Sequence, residues 1–324
     1  IRYRDVTGVQ TCALPIYMKV SLIVAVYNVE KYLGECLESL FSQTYRDIEY
    51  VFIDDASTDR SPAILRDAAA ARPDRDIRIV RNPVNEGIAS VRMKGLSMMG
   101  GDFFIFVDSD DTVEPDFIET LAAKAESEGA DVVCCDVLKE YSDGKVHLAK
   151  AWKDAPADGP SASLAVLRGG IPAYSCNKLV DSALARDIIP PVESYQEDIV
   201  MMVQMLFGAR KIVRVGRPLY HYKRRHAGAI TAGPWKRKHL SSAANMAALY
   251  DALPDGPLKE LCGGDIALRA GWYSLMAGGF GALRRCPESV KRACAAAPWI
   301  RGCRVSVVEQ ALLKAACRLL QLVF

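Results

Sequence analysis

The chain has 324 residues, 50% of them hydrophobic and 25% charged, with a formal net charge of +2. Its length and apolar content suffice for a full-sized core, with room for a second small domain. The near-neutral balance excludes a nucleic-acid binder that works through a basic surface, and the hydrophobicity excludes a disordered chain.

Ten cysteines are present; none falls in a Cys-x-x-Cys pair, and Cys134 and Cys135 lie side by side in an apolar run. Zinc spacing is absent, and the chain is too long for a disulfide scaffold. Reduced, buried thiols in a cytoplasmic protein are the expected state. No apolar run reaches the ~18 residues that span a bilayer. Residues 1–17, "IRYRDVTGVQTCALPIY", lack the apolar core of a signal peptide and the regular period that begins at residue 18. They read as an extraneous or unstructured leader, with Met18 as the start.

From Met18 the pattern alternates. "KVSLIVAVY" is an apolar strand, and "EKYLGECLESLFSQ" has helical spacing at Tyr32, Leu33, Cys36, Leu37, Leu40 and Phe41. The strand "IEYVFID" and the helix "SPAILRDAAAA" come next, the helix capped by Ser57 or Asp59. Then come the strand "IRIVRN", the helix "GIASVRMKGLSMM", the strand "DFFIFVD", the helix "EPDFIETLAAKAESEG" and the strand "ADVVCCDV". Strands alternating with helices, without hairpin signals, imply right-handed crossovers and a mainly parallel sheet flanked by helices.

After residue 136 the pattern loosens. "YSDGKVHLAK" reads as a hairpin arm, "KDAPADGPSA" as a loop and "YSCNKLV" as a short strand. "SYQEDIVMMVQMLFGA" is a strong helix starting near Tyr195. "KIVRV" and "PLYHYKRR" read as two strands joined through Gly216, with His221 in the second. From Trp235 the chain is helical, with breaks expected at Pro254, Gly263–Gly264, Pro287 and Pro298. No internal repeat is visible.

Parallel sheets bind ligands beyond the carboxyl ends of their strands. Tyr27 and Asn28, Asp54 and Asp55, and Asp108, Asp110 and Asp111 all fall at such ends. Three like charges this close repel each other, and a hard divalent cation such as Mg²⁺ or Mn²⁺ relieves that repulsion while leaving valence for a diphosphate. The alternative is an acidic turn in which Asp110 or Asp111 caps the next helix.

Four ordered stretches carry a resemblance. "VSLIVAVYNVEKYLGECLESLFSQTY", "VFIDDASTDRS", "NEGIASVRMKGL" and "FVDSDDTVEPDF" resemble family 2 glycosyltransferases of the GT-A fold over roughly residues 18–125. "SCNKLV", "SYQEDIVMM" and "PLYHYKRRHAGAIT" more weakly resemble the acceptor half of bacterial polysaccharide and cell-wall transferases. The resemblance implies a GT-A-type, Rossmann-like sheet with a C-terminal helical region. It implies a nucleotide-sugar-binding half over 18–136, an acceptor-side half with the catalytic base over 137–234, and helices over 235–324.

It further implies that Ala25, Tyr27 and Asn28 line a uridine pocket. Asp55, with Asp54 beside it, would read the base edge; an acidic acceptor facing the imide N–H of uracil rejects bases without that donor. Helix capping is the alternative for this pair. Arg92 matches a nucleotide-contacting Ala-Arg-Asn motif, although the chain reads Val91-Arg92-Met93, and a plain surface arginine is the alternative. Asp108 and Asp110 match the metal motif and Asp111 comes directly after it, so the direct ligand is either Asp110 or Asp111. Glu197 and Asp198 match the pair that supplies the catalytic base, which maps to Asp198; first-turn acids of an ordinary helix are the alternative. A helix N-terminus favours the carboxylate, so position rather than raised basicity would make Asp198 effective. Lys178, Arg224, Arg225 and His226 would either close over the diphosphate or form a solvated basic rim.

The implied activity is an inverting, metal-dependent transfer from a nucleoside diphosphate sugar, a UDP-sugar foremost, to a hydroxyl of a surface polysaccharide or cell-wall glycan, free or lipid-linked. One rival is a haloacid-dehalogenase-type phosphatase with Asp108 as nucleophile, although three strand–helix units precede its motif here. Another is a non-catalytic sugar-nucleotide binder. A nicotinamide dehydrogenase lacks its Gly-x-Gly-x-x-Gly. The tail "VVEQALLKAACRLLQLVF" places Leu312, Ala315, Ala316, Leu319 and Leu320 on one helical side and Gln310, Lys314, Arg318 and Gln321 opposite. It reads either as a helix packed on the domain or as a peripheral anchor at the inner face of the plasma membrane.

Overall fold

Val20–Val26 form β1 because seven apolar or small residues in a row can be buried on both faces. In a computed structural model, which describes residues 18–152, 158–224, 234–296 and 310–317, β1 sits inside a sheet. It pairs in parallel with β2 (Ile48–Asp54) and β4 (Phe103–Asp108), and β2 pairs in parallel with β3 (Asp76–Arg81). The crossovers are α1 (Leu33–Phe41), α2 (Ser61–Ala70) and α3 (Gly87–Met98). The register sets Ala25 beside Asp108 and Val26 beside Asp54, so the acidic ends of β2 and β4 flank the end of β1 on one edge.

Beyond β4 the sheet turns mixed. Its order is β3-β2-β1-β4-β8-β6-β9-β5, with β7 also on β6. Here β5 is Thr112–Val113, β6 Val132–Tyr141, β7 Val146–Ala149, β8 Lys178–Asp181 and β9 Ile212–Arg224. β8 runs antiparallel to β4 and β6, while β6 and β9 are parallel. The helices of this half are α4 (Phe117–Glu128), α5 (Gly159–Arg168) and α6 (Glu197–Gly208). Two apolar layers cover the faces of the sheet. One, holding Leu22, Val24, Phe52 and Ile105, lies under α1 and α4. The other, holding Ile23, Val51, Phe104 and Phe106, lies under α3, α5, α6 and the C-terminal helices. Those helices are α7 (Trp235–Ala252), α8 (Pro257–Arg284), α9 (Glu288–Ala296) and a helical segment over residues 310–317.

Several expectations change. Residues 153–162 do not read through as loop: α5 begins at Gly159, because Asp158 accepts a hydrogen bond from Ser161 N at 2.7 Å and Pro160 occupies the first turn. The helix expected from Tyr195 starts at Glu197. The two strands expected around Gly216 are one strand, β9, with a register shift opposite Cys135–Val137; the glycine marks a bulge, not a turn. Gly263–Gly264 do not break α8. The kink falls instead at Gly278–Gly279. The breaks at Pro254 and Pro287 are present, and Pro298 lies outside the described residues.

Within residues 310–317 the expected sides of the tail are largely exchanged, Ala316 alone of the expected apolar positions being buried. Gln310 and Lys314 are buried with Leu313, Ala316 and Cys317, whereas Leu312 is 61% exposed. The segment packs on Gly271 of α8 and Cys294 of α9. Closeness to a glycine admits a helix with a mixed face that a side chain would have held away. Leu319, Leu320, Arg318 and Gln321 lie outside the described residues. Among the described residues no helix is long and apolar enough to cross a membrane. The described cysteines, Cys134 and Cys135 included, are free and buried.

Candidate active site

A cavity of about 560 Å³ opens at the acidic edge of the sheet. Of the residues expected at a site, Ala25, Tyr27, Asp55, Arg92, Asp108, Asp110, Glu197 and Asp198 line it. One wall is built from strand ends and the start of α3, and the other from the loop before β8 and the start of α6.

On the first wall Asp55 is 3% exposed, and its carboxylate accepts from Asn82 Nδ2 at 2.8 Å, Glu86 N at 2.9 Å and Gly87 N at 2.8 Å. It therefore fixes the entry to α3. Gly87, where the two walls meet, has φ +84, a backbone conformation that strains any side chain. Asp54 points the other way and does not line the cavity; it accepts from Ser57 N at 3.1 Å and Arg81 Nη1 at 2.6 Å. Asn28 is also withdrawn. It adopts φ 51, donates its N–H to Ser57 Oγ at 3.0 Å and accepts from Thr58 N at 2.8 Å, tying the β1 and β2 loops together.

Asp108 and Asp110 face the cavity, while Asp111 is fully buried. Asp111 accepts from Tyr220 Oη and Lys223 N, both at 2.7 Å. Burial, then the neighbouring Asp108 and Asp110, pushes its carboxyl well above the ordinary range. Of the two metal candidates, Asp110 is thus the one presented, and Asp111 braces β9. Two carboxylates on one strand end are hard-oxygen donors that suit Mg²⁺ or Mn²⁺. Such ions commonly take one or two carboxylates plus substrate phosphates, so the residues fit the ion.

Arg92 joins the walls. It is 6% exposed, donates from Nη2 to Asp108 Oδ1 at 2.8 Å and from Nη1 to Glu197 Oε1, and lies 5.3 Å over the Phe106 ring. It is no surface arginine. Burial pushes the Glu197 and Asp198 carboxyls up, and Arg92 opposes the shift at both. The base candidate is therefore more basic than a solvated aspartate; desolvation outweighs the helix terminus. Asp198 also accepts from its neighbour's amide, Ile199 N, at 2.9 Å.

Lys178 is a correction. Its ammonium is buried and donates to Pro172 O at 3.1 Å, Tyr174 O at 2.6 Å and Asn177 Oδ1 at 2.9 Å. With all three donors occupied it meets no diphosphate. It shapes the Tyr174–Cys176 loop, which lines the cavity. Arg225, His226 and the Arg224 side chain lie outside the described residues. Sequence reasoning missed Tyr174, Ser175, Cys176, Tyr222 and Gln196 in the lining; all but Tyr174 fall inside the stretches that carry the weaker resemblance, but nothing in those stretches marked them out.

The sequence profile described as "Glycosyl transferase family 2" matches residues 21–154. The glycosyltransferase GlyG of Streptococcus pneumoniae is 30% identical over 223 residues, covering 65% of this chain and 72% of the relative. The chain belongs to glycosyl transferase family 2. EpsH of Bacillus subtilis is 35% identical over 213 residues, 63% of this chain; the chain spans 60% of that relative's length and only 16% of the Streptococcus pneumoniae glycosyltransferase GlyA. Among solved structures, Staphylococcus aureus TarS 1–349 in complex with UDP-GlcNAc superposes with a TM-score of 0.67 at 20% identity, covering 94% of this family 2 chain and 90% of that one. A Pyrobaculum calidifontis mannosyltransferase, in complex with GDP-Man and Mn²⁺, gives a TM-score of 0.52 at 17% identity over 95% and 88% of the chains. The GT-A-type fold is thereby established, and the phosphatase reading of Asp108 falls with the family.

Proposed function

We propose that the chain transfers a sugar from a UDP-sugar to a hydroxyl of a glycan acceptor, with inversion. The observation that carries this reading is the convergence of two acidic groups on one cavity, Asp108 with Asp110 and Glu197 with Asp198, joined through Arg92. TarS bound to UDP-GlcNAc supports a uridine nucleotide by analogy. In this reading Ala25, Tyr27 and Asp55 receive the uridine. Asp110, with Asp108, would hold Mn²⁺ or Mg²⁺, which supplies charge relief to the leaving diphosphate. Asp198 takes the proton of the acceptor hydroxyl as its oxygen bonds to the anomeric carbon and the bond from that carbon to the diphosphate oxygen breaks. Glu197 holds Arg92, and so Asp108, in place. Residues 18–136 supply the nucleotide side, 137–234 the base and acceptor side, and the C-terminal helices brace the base-bearing segment. The acceptor class, a surface polysaccharide or cell-wall glycan, rests on the resemblance of the second half. A screen of nucleotide sugars with Mn²⁺, reading release of nucleoside diphosphate, tests the proposal; release from no donor in the presence of bacterial glycan acceptors would reject it.

A further inference from the structure

The segment entering α6 is held from behind by a single buried side chain. Asn245 of α7 accepts at Oδ1 from Val192 N and Glu193 N, both at 2.9 Å. It donates from Nδ2 to Glu193 O at 2.9 Å and Tyr195 O at 3.0 Å. The amide's four hydrogen-bonding positions are thus all spent on residues 192–195, and the chain reaches the catalytic pair without slack.

The next residue, Gln196, has φ 62 and ψ 30. That left-handed conformation suits glycine and strains a residue whose Cβ crowds the backbone. Gln196 does not cap α6 with its side chain. Instead it lines the cavity beside Glu197 and Asp198, and its Oε1 is buried with no hydrogen-bond partner among the described residues. A strained backbone and an unpartnered buried acceptor both oppose folding, and both mark positions where something other than folding sets the residue.

The missing partner must be a donor. A diphosphate offers only acceptors, and Arg92, the cation on this wall, already donates to Asp108 and Glu197. Sugar hydroxyls donate. We propose that Gln196 is a specificity-determining contact, its Oε1 accepting a hydrogen bond from a hydroxyl of the sugar being transferred. The inference rests on the nucleotide-sugar reading above and extends it to the sugar. A site built to accept from one hydroxyl discriminates against donors that lack it or turn it away, because its own buried oxygen is then left unpaired.

The test uses the full chain with Mn²⁺ and calorimetry against UDP, UDP-glucose, UDP-galactose and UDP-N-acetylglucosamine. Gln196→Gly removes the acceptor and relaxes the backbone, so it should melt higher while binding the preferred UDP-sugar roughly 3- to 10-fold more weakly and UDP equally well. Gln196→Asn tolerates the left-handed conformation but withdraws the oxygen, and should lose the same affinity. Stability and affinity moving in opposite directions is a signature that a merely structural role cannot give. Equal affinity of wild type and Gln196→Gly for every UDP-sugar overturns the inference alone, as does a loss that extends equally to UDP. Unchanged donor affinity with impaired transfer places the hydroxyl on the acceptor and overturns the donor assignment. Wild-type protein that binds no nucleotide sugar overturns both this inference and the function beneath it.

Discussion

Adjacent acids behave differently on the two walls of the cavity. On the strand-end wall each adjacent pair is split: Asp55 and Asp110 face the cavity, while Asp54 and Asp111 turn into the protein and take structural partners. On the helix-start wall neither member is turned away: Glu197 and Asp198 both line the cavity. The cause is backbone geometry. At the end of β2 successive side chains point to opposite faces, after β4 the turn closed by Asp111 N on Asp108 O separates Asp110 from Asp111, and successive residues of a first helical turn lie about 100° apart and can share a concavity. The same letters in sequence, two acids in a row, therefore place one acid on the cavity and one in a structural brace at a strand end, and both acids on the cavity at a helix start.

The largest effect tests the helix-start wall. Asp198→Asn is nearly isosteric and should leave UDP binding intact while cutting transfer by roughly the 10²–10⁴ that a general base contributes. Proton NMR of the product should show an inverted anomer. A retained anomer, or transfer by the variant at the native rate, would remove Asp198 from the role.

The strand-end wall predicts that neighbours differ in kind. Asp110→Asn should lose donor turnover by about 10²-fold or more without a fall in melting temperature, and chelator should do the same to the native protein. Asp111→Ala should instead unfold more easily, by ~2–4 kcal/mol, because Tyr220 Oη and Lys223 N are left buried without their acceptor. If Asp111→Ala kept its stability and lost only turnover, the split between the neighbours would be wrong. Full activity in chelator would end the metal role.

The same geometry decides how much was legible in the sequence. The strand–helix alternation and the gathering of acids at strand ends were readable, because both depend on local periodicity. Which acid of a pair faces the ligand was not, since the chain turns at the strand end and parity there depends on the turn. Gln196 and Asn245 were invisible for another reason: one is defined by a left-handed backbone and the other by four groups some 50 residues away. The fate of Lys178 was hidden likewise, because its carbonyl partners come from a loop whose path no motif announces. Lys178→Met should accordingly cost about 2–3 kcal/mol of stability and should not change the salt dependence of UDP binding. A clear loss of salt dependence would return Lys178 to the diphosphate.

Arg92 is where the two walls meet, and the smallest predicted effect concerns its charge. Burial raises the folded-state values of Asp111, Glu197 and Asp198. Such carboxyls keep protons that the unfolded chain has already released. The folded state therefore binds more protons above the ordinary carboxylate value, and stability should fall as pH rises from about 4.5 through the raised values. Transfer has the opposite sign, because Asp198 accepts a proton only when ionised, so kcat/KM should climb over that same window. Arg92 opposes the shift at Glu197 and Asp198. Arg92→Gln removes a positive charge that favours both carboxylates, so the acidic limb of kcat/KM should move up by about one pH unit, the lower end of what a close opposite charge contributes. Profiles of kcat/KM with Mn²⁺, taken alongside melting curves at the same pH values, measure both signs at once. An acidic limb that stays put in Arg92→Gln would mean that the base does not sense Arg92, and the two walls would then be neighbours in space without being coupled.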